Sequence, residues 1–411
     1  MAKKPNSDLM VGIDIGTSKV VTMVGEVSQN NELNIIGIGS HPSEGLKRGV
    51  VVDLESTVRS IQRSVEDAEE MAGCEIYSAY TGIAGSHIRS LNSHGVVAIR
   101  EGEVSQVDID RVLDAAKAVA IPADQKILHV LPQEYIIDNQ NSIREPLGMS
   151  GVRLEAKVHI VTGAVNAAQN ILKCLKRCGL TASDIVLEQF ASSQSVLADD
   201  EKKLGIGMID IGGGTSDIAV FINGSVCHTA VIPIAGDQVT NDVAIALRTP
   251  QRHAEQIKIN NGCALQHLID ANQVLDLAVL GDRSTRSVSR HMLAEVIEAR
   301  YEELFSLANA ELERSGLKNF VAAGIVLTGG ASKVPGAQEL AERIFRMPVR
   351  IGKPNQIVGM IEVIDNPVYA TSVGLLLYGL RQRQQQQEMV LNHPSMKSLW
   401  TRMRSWFQGN F

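Results

Sequence analysis

Aromatic residues are scarce: seven phenylalanines, six tyrosines and two tryptophans make up 4% of the 411 residues. Such scarcity makes each position informative, and both tryptophans, Trp400 and Trp406, fall close to the C-terminal end. Cysteine is sparse and odd in number, five in all. Cys174 and Cys178 lie one helical turn apart, but no second Cys/His pair at zinc spacing accompanies them. Free thiols in a reducing cytosol are therefore expected. No apolar run approaches the roughly 20 residues that a membrane-spanning helix needs. Met1-Ala2-Lys3-Lys4-Pro5 leads into polar residues rather than an apolar signal core, so no secretory leader is expected. A Gly-x-x-x-x-Gly-Lys phosphate loop is absent. Positive charge is not in excess: the formal net charge of −7 argues against a surface built for nucleic acid.

What is present is ordinary in bulk and unusual in pattern. Hydrophobic residues are 44% and charged residues 21%, as in a soluble globular protein, and the length predicts at least two lobes. An apolar strand ending in Asp14-Ile15-Gly16-Thr17-Ser18-Lys19 recurs far along the chain as Asp210-Ile211-Gly212-Gly213-Gly214-Thr215-Ser216-Asp217. Glycine lets the backbone turn tightly and bring its N–H groups up to an anion. An aspartate at the strand end can hold a hydrated Mg²⁺ beside that anion. A third strand end, Leu327-Thr328-Gly329-Gly330-Ala331-Ser332, opens into paired glycines. Two similar turns in two halves predict a duplicated fold gripping one polyphosphate.

Periodicity fills in the rest. Val58, Ile61, Val65, Ala68 and Ala72 predict a helix over 54–72, with Gly73 as its stop. Residues near 77–162 read as an insertion: strand Ile76–Ala84, helix Val107–Ala120, then strands Lys126–Ile137 and Val152–Val161. A helix over 167–178 and a strand over 184–188 resume the main fold. Strands 206–211, 218–222 and 229–234 form a meander, followed by a helical segment over 237–258 and a helix over 290–314. Residues 368–380 are apolar almost all round and predict a buried helix. The run Arg381-Gln382-Arg383-Gln384-Gln385-Gln386-Gln387-Glu388 reads as a flexible linker.

The order of the three glycine turns resembles the actin, sugar kinase and heat-shock chaperone superfamily. Val186-Leu187-Glu188-Gln189-Phe190-Ala191-Ser192 falls where that superfamily places its first connecting helix, and Tyr369-Ala370-Thr371-Ser372-Val373-Gly374-Leu375 matches the second. The insertion and the segment Lys47-Arg48-Gly49-Val50-Val51-Val52-Asp53 are similar to the FtsA family of actin-like bacterial cell-division proteins. The resemblance covers nearly all of the chain up to about residue 380. It implies an α/β, duplicated actin-like ATPase fold with a small α+β insertion and a C-terminal amphipathic helix.

The domains implied are a first lobe at 1–81, 163–200 and 368–380, and an inserted unit at 82–162. A second lobe takes 201–236 and 311–367, with a small subdomain at 237–310. A linker at 381–395 and a membrane helix at 396–411 complete the chain.

The resemblance also implies site roles. Asp14 and Asp210 would hold Mg²⁺ through water, and Gly16, Thr17, Ser18 and Lys19 would face the phosphates of ATP. Gly212, Gly213, Gly214 and Thr215 would do the same from the other side. Gly236, Glu255 and Lys258 would reach the ribose and adenine, with Gly329, Gly330 and Ala331 flat against the adenosine. An exposed helical Glu–Lys pair is the plainer reading of Glu255 and Lys258. Glu188 would orient the attacking water, or is simply a buried helix-start carboxylate. Binding is better supported than turnover, so at most slow ATPase activity is expected, with nucleotide acting as a conformational and assembly switch.

The tail is the second strong signal. Met396, Leu399, Trp400, Met403, Trp406 and Phe407 share one helical face, and Lys397, Arg402 and Arg404 lie elsewhere on the wheel. As a helix the segment would be about 18 Å long, too short to span a bilayer but suited to lying in its anionic interface. The implied protein is a peripheral adaptor at the cytoplasmic face of the inner membrane, at the division site. Its implied partners are the FtsZ C-terminal tail on 237–310, later division proteins such as FtsN on the insertion, other copies in actin-like polymers, and anionic lipids. A pilus-assembly platform of the PilM type is the alternative, and that class lacks such a tail.

Overall fold

The computed structural model describes residues 9–28, 30–270, 272–278, 285–360 and 365–392. The chain opens with a meander of β1 (Leu9–Ile15), β2 (Lys19–Val27) and β3 (Leu33–Pro42). The short pair β4 (Leu46–Lys47) and β5 (Val50–Val51), helix α1 (Leu54–Ala72) and β6 (Ser78–Ile83) follow. A separate unit comprises β7 (Arg89–Ala98), α2 (Gln106–Lys117), β8 (Gln125–Ile137), β9 (Gln140–Ile143) and β10 (Arg153–Ala164). Then come α3 (Val165–Arg177), β11 (Thr181–Leu187), α4 (Glu188–Val196) and α5 (Asp199–Leu204). A second meander, β12 (Ile206–Ile211), β13 (Ser216–Ile222) and β14 (Ser225–Ile232), leads into α6 (Gly236–Leu247) and α7 (Gln251–Asn261). The antiparallel pair β15 (Val274–Ala278) and β16 (Thr285–Ser289) precedes α8 (Arg290–Arg314). The remaining elements are β17 (Ile325–Thr328), α9 (Ala337–Phe345), β18 (Val349–Ile351) and α10 (Ala370–Asn392).

The duplication expected from the glycine turns is visible in the sheets. The first runs β3-β2-β1-β6-β11 and the second β14-β13-β12-β17-β18. In each, an antiparallel meander is extended by two parallel strands beside its first strand. Each lobe has its own apolar core. Ile13, Ile61, Ile83 and Leu187 lie in the first, and Tyr301, Phe305 and Phe345 stack in the second.

Helix α1 shows how local sequence sets position. Asp53 caps its first amides, Gly73 ends it in the left-handed region at φ 64°, and Val58, Ile61, Val65 and Ala68 face the sheet. A Cβ on Gly39 of β3 would lie 1.8 Å from the Ser64 carbonyl oxygen, so only glycine admits the helix this close. Helix α10 lies across β1 and β2 in the same way: a Cβ on Gly12 would meet Leu375 and the Ser372 carbonyl at 3.0 and 3.1 Å.

The structure departs from three sequence expectations. Ser78–Ile83 is not the first strand of the insertion; it pairs in parallel with β1 and β11 inside the first lobe. The insertion begins with β7, whose polar residues alternate without an apolar period and so carry no strand signal. With β7 in that place the strand–helix–strand–strand order holds, β9 adding a short edge, around a core of Val112, Leu154, Val158 and Ile160. The helical segment over 237–258 is two helices, broken where Arg248 turns left-handed at φ 47° ahead of Pro250. Finally, the glutamine-rich run continues α10 to Asn392 rather than forming a linker. Gln, Arg, Glu and Met are good helix formers, and a packed helix needs only propagation to grow. The amphipathic segment 396–411, with Lys397, Leu399, Trp400, Arg402, Met403, Arg404, Trp406 and Phe407, lies outside the described residues.

Candidate functional site

Asp14 and Asp210 occupy matching places near the ends of β1 and β12. The turns that follow them meet across the lobes. A Cβ on Gly213 would lie 2.8 Å from Ser18 Cβ, and one on Gly214 2.5 Å from Thr17 Oγ1. Thr17 Oγ1 accepts the Gly49 N–H at 2.9 Å, which ties the first turn to the β4–β5 pair. Behind the second turn, the Gly236 N–H donates to the Gly212 carbonyl at 3.0 Å and the Asp237 N–H to that of Gly213 at 2.8 Å. The third turn closes on the same point: at Gly329, φ 83°, a Cβ would lie 2.3 Å from Asp210 Oδ1. Gly330 and Ala331 begin a single 3₁₀ turn whose Ala331 carbonyl accepts the Tyr301 hydroxyl at 2.6 Å.

Asp210 is the hub. Its Oδ2 accepts the Ser192 hydroxyl of α4 at 2.5 Å and the Thr371 hydroxyl of α10 at 3.3 Å. Both connecting helices therefore bond to one carboxylate. Asp217 stands directly opposite Asp210 in the β12–β13 register. It accepts the Thr215 hydroxyl at 3.0 Å, and its Oδ1 is buried with no hydrogen-bond partner. Glu188 opens α4 against Gly82, where a Cβ would come within 2.9 Å of its Oε1. The Gln189 amide beside it is fully buried and unpartnered.

The charges of this group conflict. Burial, then the Asp210 charge, pushes the Asp14 carboxyl up to about 7, and the same two causes push Asp217 to about 8. Burial raises Asp210 as well. Glu188 is raised well above the carboxylate range by burial and then by Asp14, Asp217 and Asp210. Lys19, its own pKa lowered by burial, supplies opposing charge beside Asp14, and its Nζ lies 4.9 Å from the Tyr369 ring centre. Facing like charges on a sheet are destabilising, and an added cation removes the conflict. Among the described residues no three His, Cys, Asp or Glu side chains converge as direct metal ligands. The arrangement thus fits a hydrated Mg²⁺ held through water, with a polyphosphate under the glycine turns.

At the far side, Gly236 faces Ala331 and Lys258, 3.5 Å from its virtual Cβ in each case. Lys258 is buried, donating to the Gly236 carbonyl at 3.0 Å and Thr240 Oγ1 at 2.8 Å, and pairing with Glu255 at 2.6 Å. It is therefore not half of a freely exposed pair. The structure brings the nucleotide-site residues expected from the sequence to the region where the two lobes meet, while the tail residues lie outside the described residues.

Sequence reasoning gave no role to Asp217, Ser192 or Thr371. Asp217 was findable, because it is the acid that closes the second glycine turn, two residues after Thr215. The Ser192 and Thr371 contacts arise only when the two helices pack.

Comparisons with known proteins bear on the fold and the family. Residues 207–374 match the family model "Cell division protein FtsA", and residues 85–162 match "SHS2 domain inserted in FTSA". The second match starts after β6, as the sheet pairing requires. Over its whole length the chain is 59% identical to the cell division protein FtsA of Pseudomonas aeruginosa, also covered in full. It is 44% identical to that of Escherichia coli K12, again with both chains covered in full. Among solved structures, the PilM–PilN type IV pilus biogenesis complex aligns with TM-score 0.67 at 16% identity, over 92% of this chain and 99% of that one. MreB5 of Spiroplasma citri bound to ADP aligns with TM-score 0.54 at 14% identity, over 95% and 100%. These distant likenesses establish an actin-like fold, and the end-to-end identities go further: the chain belongs to the FtsA family of cell division proteins.

Proposed function

We propose that this chain is an ATP- and Mg²⁺-binding adaptor of cell division. It assembles into actin-like polymers at the cytoplasmic face of the inner membrane and anchors the FtsZ ring there. The observation that carries the nucleotide reading is Asp210, held by hydroxyls from both connecting helices and crowded by Asp14, Asp217 and Glu188. Fold neighbours include MreB5 structures bound to ADP and to AMPPNP, and the MamK double helical filament.

In this reading Asp14 and Asp210 hold the hydrated metal, while the turns at Gly16–Ser18 and Gly212–Thr215 cradle the phosphates. Lys19 adds charge to the phosphate side. Lys258 and Glu255 border the ribose, and Gly329 to Ala331 leave a flat wall for the base. The bound metal would supply charge neutralisation at the phosphates. Glu188 would orient the attacking water, but with its pKa raised among other carboxylates it is a weak base, so at most slow hydrolysis is expected. The nucleotide then acts chiefly by setting the relation of the lobes.

Membrane attachment falls to residues 396–411, whose apolar face and three cations suit an anionic interface. A single such helix binds reversibly, and a row of them on a polymer binds far more firmly. The FtsZ tail is assigned to the subdomain over 237–310, and later division proteins such as FtsN to the inserted domain. Relatives at 44–59% identity favour this reading over the PilM-type alternative, to which the likeness is one of fold.

Electron microscopy of the protein on lipid monolayers, with and without ATP, tests attachment and assembly together. Polymers that form on anionic lipid and change with ATP are expected; bare monolayers in both conditions would refute the reading. Calorimetry with Mg·ATP tests the cleft separately. Truncation after Pro394 should abolish pelleting with anionic liposomes, and unchanged pelleting would remove the tail from the account.

A further inference from the structure

We propose that His129 is a positioning residue of the nucleotide site, through which the inserted domain holds Glu188 in place. The proposal rests on reading the cleft as a Mg·ATP site. β11 is the outer strand of the first lobe's sheet, so part of its backbone faces away from β6. At its last residue the Leu187 N–H donates to His129 Nε2 at 2.9 Å. His129 belongs to β8 of the inserted domain. Leu187 is also the residue that caps α4, which has no side-chain cap of its own, and Glu188 comes next. A side chain from another domain thus supplies the acceptor where strand turns into helix.

The surroundings make this a clasp rather than a chance contact. His129 is 9% exposed, and its ring lies 5.9 Å from the ring of Phe190, on the first turn of α4. Phe190 packs edge-on to Tyr378 of α10 at 6.2 Å, and Tyr378 to Tyr80 of β6 at 5.8 Å. In a chain with so few aromatics, three of them extend the His129 contact from the inserted domain to both connecting helices. To accept from Leu187, Nε2 must keep its lone pair, so the ring is neutral. Burial favours that form, against the opposing charge of Asp184. Without an acceptor, the Leu187 amide would be buried and unpaired, and the start of α4 would be free to shift. Catalytic groups lose effectiveness when displaced by as little as about 1 Å. A partner that tilts the inserted domain would therefore act on Glu188 without touching the nucleotide.

The test uses the full-length protein and two variants. H129F keeps an aromatic ring beside Phe190 but has no acceptor; H129Q keeps an acceptor. Three quantities are read: hydrogen exchange of the segment 185–190, affinity for a fluorescent ATP analogue with Mg²⁺, and ATP turnover followed over hours. H129F should lose protection at Leu187 and lower turnover about tenfold, with affinity changed less than about threefold. H129Q should recover most of both, and H129F should add nothing in an E188Q background. Unchanged protection in H129F, equal loss in H129F and H129Q, or additivity with E188Q would each overturn the proposal. A wild-type protein that binds no Mg·ATP, or turns it over no faster than E188Q, overturns the role given to Glu188. The exchange pattern of the two variants then judges the clasp alone.

Discussion

Asp217 and Asp210 face each other across β12 and β13, and the matching position in the first lobe, opposite Asp14, is the apolar Val21. The two hairpins are therefore unequal in charge, and the surplus carboxylate lies in the second. Its signature is a pH dependence. Asp14 and Asp217 titrate near 7 and 8 in the folded protein but near 3.8 when unfolded, so between those values the native state holds protons the unfolded state has lost. Stability of the metal-free, nucleotide-free protein should consequently fall as pH rises from 6.5 to 8.5. Below that window His159, pushed down to about 4 chiefly by burial and charging only in the unfolded state, works in the opposite direction. Scanning fluorimetry should show the melting temperature declining across the window, and Mg·ATP should stabilise most at its alkaline end. D217N should flatten the decline and raise the apo Tm by roughly 1 °C, the response to about 1 kcal/mol in a chain of this length. It should also weaken Mg²⁺-dependent nucleotide binding. A decline as steep in D217N as in the wild type would contradict the account.

Among the elements, those whose burial follows a simple period were legible. α1 shows its apolar stripe and its Gly73 stop in the sequence, and the burial of α10 was evident from a stretch, 368–380, that is apolar almost all round. β7 was not legible, because it is mostly polar, with Ser90 and Asn92 bonding to β14 while Leu91 and Val97 pack on the core of the insertion. The end of α10 was misjudged because composition reports what a segment does alone, whereas this one propagates from a packed helix. In the same way the glycine turns were legible while Ser192 and Thr371 were not, since their meeting at Asp210 depends on how α4 crosses α10. That crossing is tight: a Cβ on Gly374 would lie 1.9 Å from the Ala191 carbonyl oxygen. G374A should force the helices apart, costing about 1–3 kcal/mol, and should disturb the hydroxyls on Asp210. Denaturant unfolding and Mg·ATP affinity should both register the change. A variant that binds nucleotide as tightly as the wild type would show that the crossing and the site are independent.

At the scale of the whole molecule, the inserted domain leaves the first lobe and docks on the second. Ser90, Asn92 and Gln133 bond to the backbone of β14 at Thr229, Cys227 and Val226, and the buried His159 bridges Asn92 and Thr229. Any rotation of one lobe against the other must move or strain this polar seam. An N92A/Q133A double variant should speed nucleotide release several-fold in stopped-flow measurements and raise hydrogen exchange along β14, and unchanged release would mean that the seam does not restrain the lobes. α10 carries the other consequence. It runs unbroken from Ala370, next to the hydroxyl that touches Asp210, to Asn392, the last residue before the amphipathic sequence comes within a few positions. At 1.5 Å per residue the rod from Thr371 to Asn392 is about 32 Å long, so a tilt of about 5° at the Asp210 end sweeps its tip by roughly 3 Å. On the function proposed above, events around a bound phosphate would be geared up by this lever toward the lipid-binding sequence that follows it.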